Sequence, residues 1–367
     1  MLNKITEIFG ENGVYVTLKP EILRKLVLDA HKVIGNYQKL GNMIGCSETE
    51  FCRYKKHVSK AVSVNRLSKL SNISGITFDK DDIVGIQRGK LGYKIPFSLV
   101  FSEKIWSILD EWDHYILGAI ATDGSVYKGN IYFKISPRDV EFSAVQIYSL
   151  AKMAEKIHQQ HVNIYVGIDR GKKFGEPTTS VALSSISLII FLQKVLGLNF
   201  STNYNVPEWF NSNSEYLYPW LAGVTDGDGY VWKTENKYGA YWFWDITNGN
   251  INPLNEIKQI LEKYVAKFET NPKSEGRGKY KLRIQHIELC RKLFPKILPY
   301  IVIERKRRRI IEALDYLAGK GFDIKIPEKQ RDTRNPIIDK AVEFLKERNL
   351  FKKIQNWERL EVYGEGI

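Results

Sequence analysis

Asp123 and Asp228 are the residues in this sequence whose types and positions most clearly suggest chemistry. Each follows an apolar run that contains small residues, HYILGAIATDG for the first and YLYPWLAGVTDGDG for the second, and each precedes a glycine. If both runs are helices, both carboxylates lie at helix carboxyl ends, where the helix dipole disfavours an anion by about 0.3–1 kcal/mol. An aspartate in that place therefore needs a partner that offsets its charge.

A divalent cation would be such a partner. It offsets the unfavourable helix dipole, and it also offsets the repulsion between two carboxylates that lie side by side. Mg²⁺ binds one or two carboxylates and keeps water and substrate phosphate oxygens in its remaining positions. Two carboxylates brought together therefore indicate metal-assisted cleavage of a phosphodiester.

Glycine spacing suggests how the two aspartates could meet. Gly118 and Thr122 are four residues apart, as are Gly223 and Gly227, so each pair lies on one face of its helix. Small residues on a shared face allow two helix backbones to approach closely, and parallel packing would bring both carboxyl ends together. Asp-Gly is also a common turn signal before a hairpin. We favour the helix-pair interpretation because the pattern occurs twice, each time before strand-like runs.

The segments that position these aspartates repeat one order of elements. In both copies a helix is followed by two strand-like runs, a helix-period run, two more strand-like runs and a closing apolar helix. The sequence therefore predicts an α+β fold with two αββαββα repeats, at residues 105–205 and 206–320. Residues 1–104 are predicted to form a separate all-α domain, and residues 321–367 a charged tail with one helix.

The two helix ends resemble the motif of the LAGLIDADG homing endonucleases. LAGVTDGDG (Leu221–Gly229) is a close match, and ILGAIATDG (Ile116–Gly124) has Ala121 where the motif has its first aspartate. In that family the later acidic residue, not the first aspartate, carries the activity. The resemblance therefore implies that the first copy keeps its catalytic aspartate, Asp123, despite Ala121. It also implies a structural role for Asp226 at its helix end.

The resemblance also implies an architecture and a reaction. The two repeats would be related by a pseudo-twofold axis and would form a saddle-shaped sheet that binds DNA. Asp123 and Asp228 would hold Mg²⁺ or Mn²⁺, with the main-chain oxygens of Thr122 and Gly227 completing the coordination. Two copies in one chain imply a monomer that cuts a long, asymmetric site in double-stranded DNA.

Members of the family usually place a basic residue near the metals, just after the second strand of a repeat. The corresponding segment of the first repeat, ISPRD, offers Arg138, which could equally be a surface arginine. In the second repeat the segment ITNGN offers no cation, and Lys233 is a possible substitute. This asymmetry leaves open whether both DNA strands are cut at equal rates.

Cations occur in the predicted hairpins of both repeats. A β-ribbon fits the major groove, and because strand side chains alternate, every second residue can face DNA. A charged hairpin tip is usually only solvated, but its occurrence in both repeats favours DNA contact. The candidate contacts are Lys128, Tyr132, Lys134, Arg170, Lys172, Lys173, Lys233, Lys237, Tyr238, Arg277, Lys279, Lys281 and Arg283.

Two other conspicuous segments are predicted to have structural roles. The aromatic run YWFWD (Tyr241–Asp245) is expected to form sheet core rather than a platform for stacked bases. The charge run ERKRRR at residues 304–309 is expected to be a solvated helix face, with phosphate contact as the alternative.

Residues 37–56 have the pattern of a helix-turn-helix. Gly41 lies where the helices would cross, Gly45 lies in the turn, and Phe51 is placed to fill the core. Ser47 and Glu50 have the spacing of a capping box at the start of the second helix. That helix would enter the major groove, with Ser47, Thr49, Arg53, Lys55 and Lys56 facing DNA. A plain three-helix bundle is the alternative.

The charge of the whole chain agrees with a polyanionic partner. Its 367 residues carry a formal net charge of +13, with a sequence pI of about 9.3, so nucleic acid is the first expectation and an anionic membrane surface the second. No run has the length of a membrane span, and the start of the chain does not resemble a signal peptide. Three cysteines without CxxC spacing indicate a reducing compartment, and we expect a prokaryotic or archaeal cytoplasm, or an organelle.

The sequence thus predicts a site-specific, metal-dependent DNA endonuclease with an added helix-turn-helix. A transcriptional regulator that binds DNA on the same scaffold without efficient cleavage is the first alternative. A maturase that assists the folding of intron RNA is the second alternative.

Overall fold

The computed structural model describes residues 1–55, 61–102, 104–170, 176–237, 239–285, 287–324, 326–332 and 334–361. In it the chain forms two compact units. The first comprises Met1–Ile105, Ala154–Val162 and Ser185–Leu196, and the second comprises Trp106–Met153, Asn163–Ser184 and Gly197–Ile367. The first unit therefore takes in two stretches that lie within the predicted first repeat. No described helix is long and apolar enough to cross a membrane.

Helices and short strands alternate at the start of the chain. The helices are α1 (Leu2–Phe9), α2 (Pro20–Ile34), α3 (Tyr37–Ile44), α4 (Glu48–Lys55), α5 (Val64–Ser74) and α6 (Phe97–Val100). The strands are β1 (Val14–Leu18), β2 (Ala61–Ser63), β3 (Ile83–Arg88) and β4 (Ile95–Pro96). They form an antiparallel sheet in the order β2-β1-β3-β4.

The prediction of an all-α N-terminal domain is therefore wrong. Strands β2 and β4 are only three and two residues long, and β1 and β3 are buried over most of their length, so none of the four shows a clear alternation of apolar and polar residues. Their pairing is decided by partners distant in the chain, such as Val16 opposite both Val62 and Ile86.

The first repeat begins with α7 (Glu111–Thr122). It continues through β5 (Ser125–Tyr127), β6 (Asn130–Ile135), α8 (Val140–His158), β7 (Tyr165–Asp169), β8 (Thr178–Ser184) and α9 (Ile186–Ile190). One π-helical turn, Phe191–Val195, extends α9.

The second repeat follows three short 3₁₀ turns and begins with α10 (Leu217–Gly227). It continues through β9 (Gly229–Asn236), β10 (Gly239–Asn248), α11 (Ile251–Tyr264), β11 (Lys273–Gly276), β12 (Lys279–Ile284) and α12 (Ile287–Ile297). The rest of the chain forms α13 (Glu304–Gly319), α14 (Glu328–Arg331), α15 (Ile337–Glu347) and α16 (Glu358–Glu361).

The predicted αββαββα order is confirmed in both repeats. The sheets have the same strand order, β5-β6-β8-β7 in the first repeat and β9-β10-β12-β11 in the second, with every neighbouring pair antiparallel. The α+β fold class predicted from the sequence is therefore correct for the repeats.

Side chains in each sheet alternate between a buried face and a face that we call the open face. In β6, Ile131 and Phe133 are buried, whereas Tyr132 and Lys134 lie on the open face. Alternation thus gives each repeat one apolar surface for its helices and one surface available to a partner.

The same alternation divides the aromatic run of β10. Trp242 and Trp244 lie on the buried face, and the indole nitrogen of Trp244 donates to the Thr225 hydroxyl of α10 at 3.1 Å. Phe243 and Asp245 lie on the opposite, open face. All four residues from Trp242 to Asp245 are buried, so the prediction that this run forms sheet core is confirmed for them, although Phe243 and Asp245 belong to the other face of the sheet.

Candidate active site

Helices α7 and α10 pack in backbone contact at their glycines. A β-carbon placed on Gly118 would lie 2.1 Å from the main-chain oxygen of Trp220, and one placed on Gly223 would lie 2.0 Å from that of Tyr115. Neither position has room for a side chain, because each glycine faces the backbone of the other helix. This is the close approach that the glycine spacing predicts.

The carboxyl ends of the two helices lie side by side. A β-carbon on Gly227 would lie 2.0 Å from the Thr122 hydroxyl oxygen and 3.5 Å from the carboxyl carbon of Asp123. Asp123 and Asp228 are the residues that end α7 and α10, and their main-chain N–H groups donate to Ala119 and Val224. The structure therefore brings the two predicted aspartates together.

The electrostatics of the pair are unfavourable for two anions. Desolvation and the neighbouring Asp228 raise the pKa of Asp123 from 3.8 to about 6, although its side chain is still reached by solvent. Desolvation also raises the pKa of Asp228, which is half-buried. The positive charge of Lys306 opposes both shifts. Such a pair is suited to a bound cation, which would favour the ionised form of both carboxyl groups.

Lys306 is a residue of this site that the sequence analysis missed. It lies in the charge run expected to be solvated, yet it is 4% exposed, and its amino group donates to the main-chain oxygens of Thr225 at 2.6 Å and Asp226 at 2.7 Å. Burial lowers the pKa of Lys306 to about 8. Its neighbour Arg307 is also buried and donates to main-chain oxygens, so the prediction of a solvated face is wrong for both residues.

A sequence signal for this burial does exist. Ile303, Lys306, Arg307 and Ile310 have the spacing of a single helix face, and both isoleucines are buried. We predicted that this face is solvated because a charged residue in the protein interior needs hydrogen-bond partners. The local sequence does not show which residues those partners are.

Asp226 joins α10 to the start of α13. Its carboxylate accepts hydrogen bonds from the Tyr115 hydroxyl at 2.9 Å and from the Val302 N–H at 2.7 Å. The first repeat has Ala121 at the corresponding position, and its last helix is followed by a π-helical turn and short 3₁₀ turns, with no counterpart of α13 among the described residues before the second repeat begins. This difference gives a physical reason for the departure of the first motif from the second.

The first repeat also holds the start of α13. The Glu304 N–H donates to the Glu141 carboxylate at 3.1 Å, and Arg305 forms two hydrogen bonds, of 3.1 and 3.0 Å, with Asp139. Helix α13 is therefore tied to both repeats within one turn of Lys306.

The two predicted catalytic cations lie in different surroundings. Arg138 is exposed, with its nearest acidic partner, Glu176, at 3.9 Å. Lys233 pairs with Glu235, and its amino group lies 5.4 Å from the ring centre of Trp242, on the buried face of its sheet. The cations whose charges lower the pKa of Asp228 are Lys306 and Lys279. Both belong to the C-terminal half of the second repeat and its following helix.

The donor set can be compared with the needs of a metal ion. No group of three or more His, Cys, Asp or Glu side chains suited to a metal occurs in the described part of the chain. Asp123 and Asp228 would thus supply one carboxylate each. The residues directly before them in the chain, Thr122 and Gly227, would each offer a main-chain oxygen. Magnesium tolerates such a sparse set, because water and phosphate oxygens fill its remaining positions.

Most of the predicted DNA contacts lie on accessible parts of the two sheets. Lys128 and Arg277 lie at hairpin tips with left-handed backbones, at φ values of 47° and 52°. The exposed candidates are Lys128, Lys134, Arg170, Lys237, Arg277, Lys279 and Arg283, and the half-buried ones are Tyr132 and Lys281. Lys172, Lys173 and Tyr238 lie outside the described residues.

The predicted helix-turn-helix corresponds to α3 and α4. A β-carbon on Gly41 would lie 2.5 Å from the Cys46 oxygen, Gly45 ends α3 with a left-handed φ of 71°, and Phe51 is 1% exposed. Each residue type therefore has the physical role expected of it in a compact two-helix unit.

The second helix presents its predicted contacts to solvent. Ser47, Thr49 and Arg53 are exposed, whereas Lys56 and the side chain of Lys55 lie outside the described part of the chain. The Ser47 hydroxyl accepts a hydrogen bond from the Glu50 N–H at 3.3 Å. The Glu50 carboxylate does not close a capping box but pairs with other side chains, Arg66 and Lys90, each at 3.1 Å.

Comparisons with known proteins complete the description of the site. No protein-family model matches the sequence, and no curated protein sequence matches it. Similar solved structures include the meganuclease I-SmaMI bound to uncleaveable DNA, the LAGLIDADG meganuclease I-AabMI bound to uncleaved DNA, and full-length DUF199/WhiA from Thermatoga maritima. Their identities to this chain are 15%, 12% and 17%, each with a TM-score of 0.36.

The matches span 58%, 64% and 69% of this chain and 91%, 98% and 70% of the other chains, in the same order. In its own residues, the chain resembles the LAGLIDADG homing endonucleases through two αββαββα repeats whose first helices end in adjacent aspartates.

Proposed function

We propose that this protein is an endonuclease that binds a long, asymmetric site in double-stranded DNA and hydrolyses phosphodiesters with Mg²⁺ or Mn²⁺. The observation that carries the proposal is the approach of Asp123 to the end of α10, beside Asp228. The protein stabilises this pair poorly, since burial raises the pKa of both carboxyl groups. In a structural ion pair, the neighbouring positive charge would instead lower the pKa of the carboxyl group.

The proposed roles follow from the contacts of each residue. When bound, a divalent metal supplies charge stabilisation to the phosphate and makes water more acidic. Asp123 and Asp228 would hold it between the repeats. Lys306 fixes the last turn of α10 through two main-chain oxygens and so positions Asp228. Lys279 favours the ionised form of Asp228 by its charge.

DNA is the partner that best fits the surfaces around this pair. The chain has a net charge of +13, and exposed cations occur on the open faces of both sheets. Two of the similar structures, I-SmaMI and I-AabMI, are DNA complexes. Because one chain contributes both aspartates, we propose that it acts as a monomer.

The test is cleavage of a randomised duplex library by the purified full chain, with Mg²⁺ or Mn²⁺ and with EDTA. We expect a specific set of cut duplexes that requires the metal. Asp123→Asn and Asp228→Asn should abolish or cripple cutting while retaining affinity for the selected duplex. Asp315→Asn is a matched control, because Asp315 is exposed and pairs only at the surface with Arg331 at 2.8 Å. Full cutting by the Asp123→Asn/Asp228→Asn double variant would exclude the proposed site.

A regulator that binds DNA without cutting it is the second candidate. The observation that favours it is a difference between the two repeats at the site. The first motif has Ala121 where the second has Asp226, and Arg138 of the first repeat is exposed beside Glu176. The same library separates the two functions, since a regulator would enrich specific duplexes but leave them intact with either metal. Enrichment of structured RNA in place of duplex DNA would instead indicate a maturase.

A further inference from the structure

One arginine on the open face of the second repeat is held by a buried carboxylate. Arg283 of β12 lies directly opposite Asp245 of β10 in the antiparallel register. Asp245 is 4% exposed, whereas the side chain of Arg283 is 43% exposed. The carboxylate is therefore shielded from solvent beneath a guanidinium group that solvent and a partner can reach.

The hydrogen bonds fix the orientation of the guanidinium plane. The Nε of Arg283 donates to Oδ1 of Asp245 at 3.0 Å and to Oδ2 at 3.2 Å, and Nη2 donates to Oδ2 at 2.9 Å. The indole nitrogen of Trp232 donates to the same Oδ2 at 3.0 Å. Asp245 is thus itself held in place by a third donor.

Two aromatic rings support the same group. Trp232 and Phe243 stack with their ring centres 4.2 Å apart and an interplanar angle of 11°. The central carbon of the Arg283 guanidinium lies 5.1 Å from the ring centre of Trp232 and 5.7 Å from that of Phe243. A partner would therefore meet an arginine whose rotamer is already selected, so that binding costs little side-chain entropy.

The edge of the Arg283 guanidinium that Asp245 leaves unoccupied is the edge that matches guanine. Asp245 occupies the edge formed by Nε and Nη2, and no described residue is hydrogen-bonded to Nη1. The edge formed by Nη1 and the outer N–H of Nη2 is left as a fork of two parallel donors. In the major groove, O6 and N7 of guanine accept such a fork, and no other base presents two acceptors in that arrangement.

Two other cations on these sheets pair differently. Lys134 pairs with Asp169 at 2.6 Å, and Lys281 pairs with Glu275 at 2.9 Å. A lysine ammonium group is a compact charge with rotating donors, so a carboxylate partner does not leave it with a directed fork. Arg283 is therefore the better candidate for a base contact, and the two lysines for phosphate contacts.

We propose that Arg283 reads one guanine in the major groove of the half-site bound by the second repeat, and that Asp245 is its positioning residue. This inference rests on the proposed function, because it assumes a specific duplex target.

The experiment begins with duplexes selected by the full chain in Ca²⁺, followed by competition among all four bases at each position. For the wild type we expect one position, in one half-site, where guanine is preferred about tenfold or more over every other base. Arg283→Lys, which keeps the charge and removes the fork, should lose that preference at that position alone. Arg331→Lys is the control, because Arg331 pairs with Asp315 at 2.8 Å outside the two sheets, and its base profile should match the wild type.

A change in the DNA provides a test that no folding defect can obscure. Replacing the preferred guanine by 7-deazaguanine removes the N7 acceptor, and wild-type binding should weaken about tenfold. An unchanged affinity for the deazaguanine duplex, or an unchanged base profile for folded Arg283→Lys, would overturn the role of Arg283. Failure of the wild type to select any duplex would instead refute the proposed function.

The role of Asp245 has its own readout. Asp245→Asn keeps the size of the side chain but offers one acceptor in place of two. We expect the guanine preference to fall while the salt dependence of binding stays unchanged, because the arginine charge remains. An Asp245→Asn protein that is folded by circular dichroism and retains the full preference would show that Asp245 has no positioning role.

Discussion

The amino group of Lys306 lies 2.7 Å from the main-chain oxygen of Asp226, and thereby one residue of α13 holds the last turn of the helix that ends in Asp228. The contact joins residues 80 positions apart in the chain. It is buried, and it places a positive charge near three carboxylates, those of Asp123, Asp226 and Asp228.

Replacement of Lys306 by methionine should destabilise the protein by about 3 kcal/mol, because Asp226 would be left buried without a compensating charge. Urea denaturation monitored by circular dichroism measures this loss. Arg308→Met on the same helix is the control. Arg308 is exposed and pairs with Glu304 at 2.6 Å, so its loss should cost less than about 1 kcal/mol. Equal effects of the two substitutions would contradict the buried role of Lys306.

Gly223→Ala should separate the two repeats. The added β-carbon would lie 2.0 Å from the Tyr115 oxygen, which belongs to the backbone of α7 and cannot rotate away. We expect a loss of about 1–3 kcal/mol in stability, together with a loss of cleavage, as the aspartates move apart. Gly319→Ala is the matched control. It lies in α13 with no atom within 4 Å of its added carbon, and it should be neutral or slightly stabilising. Wild-type stability of Gly223→Ala would show that α7 and α10 do not pack as described.

The pKa of Asp123 predicts a pH dependence of stability in the absence of metal. Its folded pKa of about 6 exceeds its ordinary value of 3.8, so the folded protein binds more protons than the unfolded chain between these values. The contribution of Asp123 to the free energy of unfolding is then most favourable below pH 4 and is lost as pH rises through 6.

Asp123→Asn removes this titration. The difference in the free energy of unfolding between the variant and the wild type therefore isolates the contribution of Asp123 from those of other groups. The variant should gain stability relative to wild type as pH rises from about 4 to about 6, and the difference should stay constant above that range. Mg²⁺ at pH 7 should raise the melting temperature of the wild type more than that of the variant. A pH-independent difference between the two proteins would contradict the raised pKa.

Unequal cations around the aspartates predict unequal cutting of the two strands. The charge of Lys306 acts on both Asp123 and Asp228, whereas the charge of Lys279 acts on Asp228. We expect a supercoiled plasmid that carries the selected site to accumulate a nicked form before the linear form. Lys279→Met should slow one strand by about tenfold or more and affect the other strand less. Simultaneous cutting in both proteins, with no nicked form, would count against this asymmetry.

The exposed surface of α4 predicts a separable contribution to DNA affinity. Arg53→Ala should weaken binding to every duplex and reduce the slope of log affinity against log salt by about 0.9, as expected for one phosphate contact. Lys32→Ala is the control, because Lys32 is exposed but pairs with Asp29 at 2.7 Å on another helix. An unchanged salt slope for Arg53→Ala would mean that this helix does not contact DNA.

The close approach of Asp123 and Asp228 was largely predictable from short stretches of sequence. Small residues four positions apart, with a glycine in each pair, mark a face where backbones touch, and this mark is local because it needs only helix geometry. The order of elements was predictable for a similar reason, since most helices and strands of the repeats are long enough to show their own period. The three-residue β5 is an exception, and its hairpin partner β6 has six residues. The short strands β2 and β4 of the first unit were missed because two or three residues show no period.

The sequence by itself thus determined which residues face each other along α7 and α10, because the period of a helix is a property of the chain. Only the tertiary structure decided which charges are buried and what they contact. Lys306 and Arg283 look like other cations in the sequence, and their roles depend on Asp226 and Asp245, which lie 80 and 38 residues away. A charged group is stable inside a protein only with such partners, and chain folding alone brings them within hydrogen-bond distance.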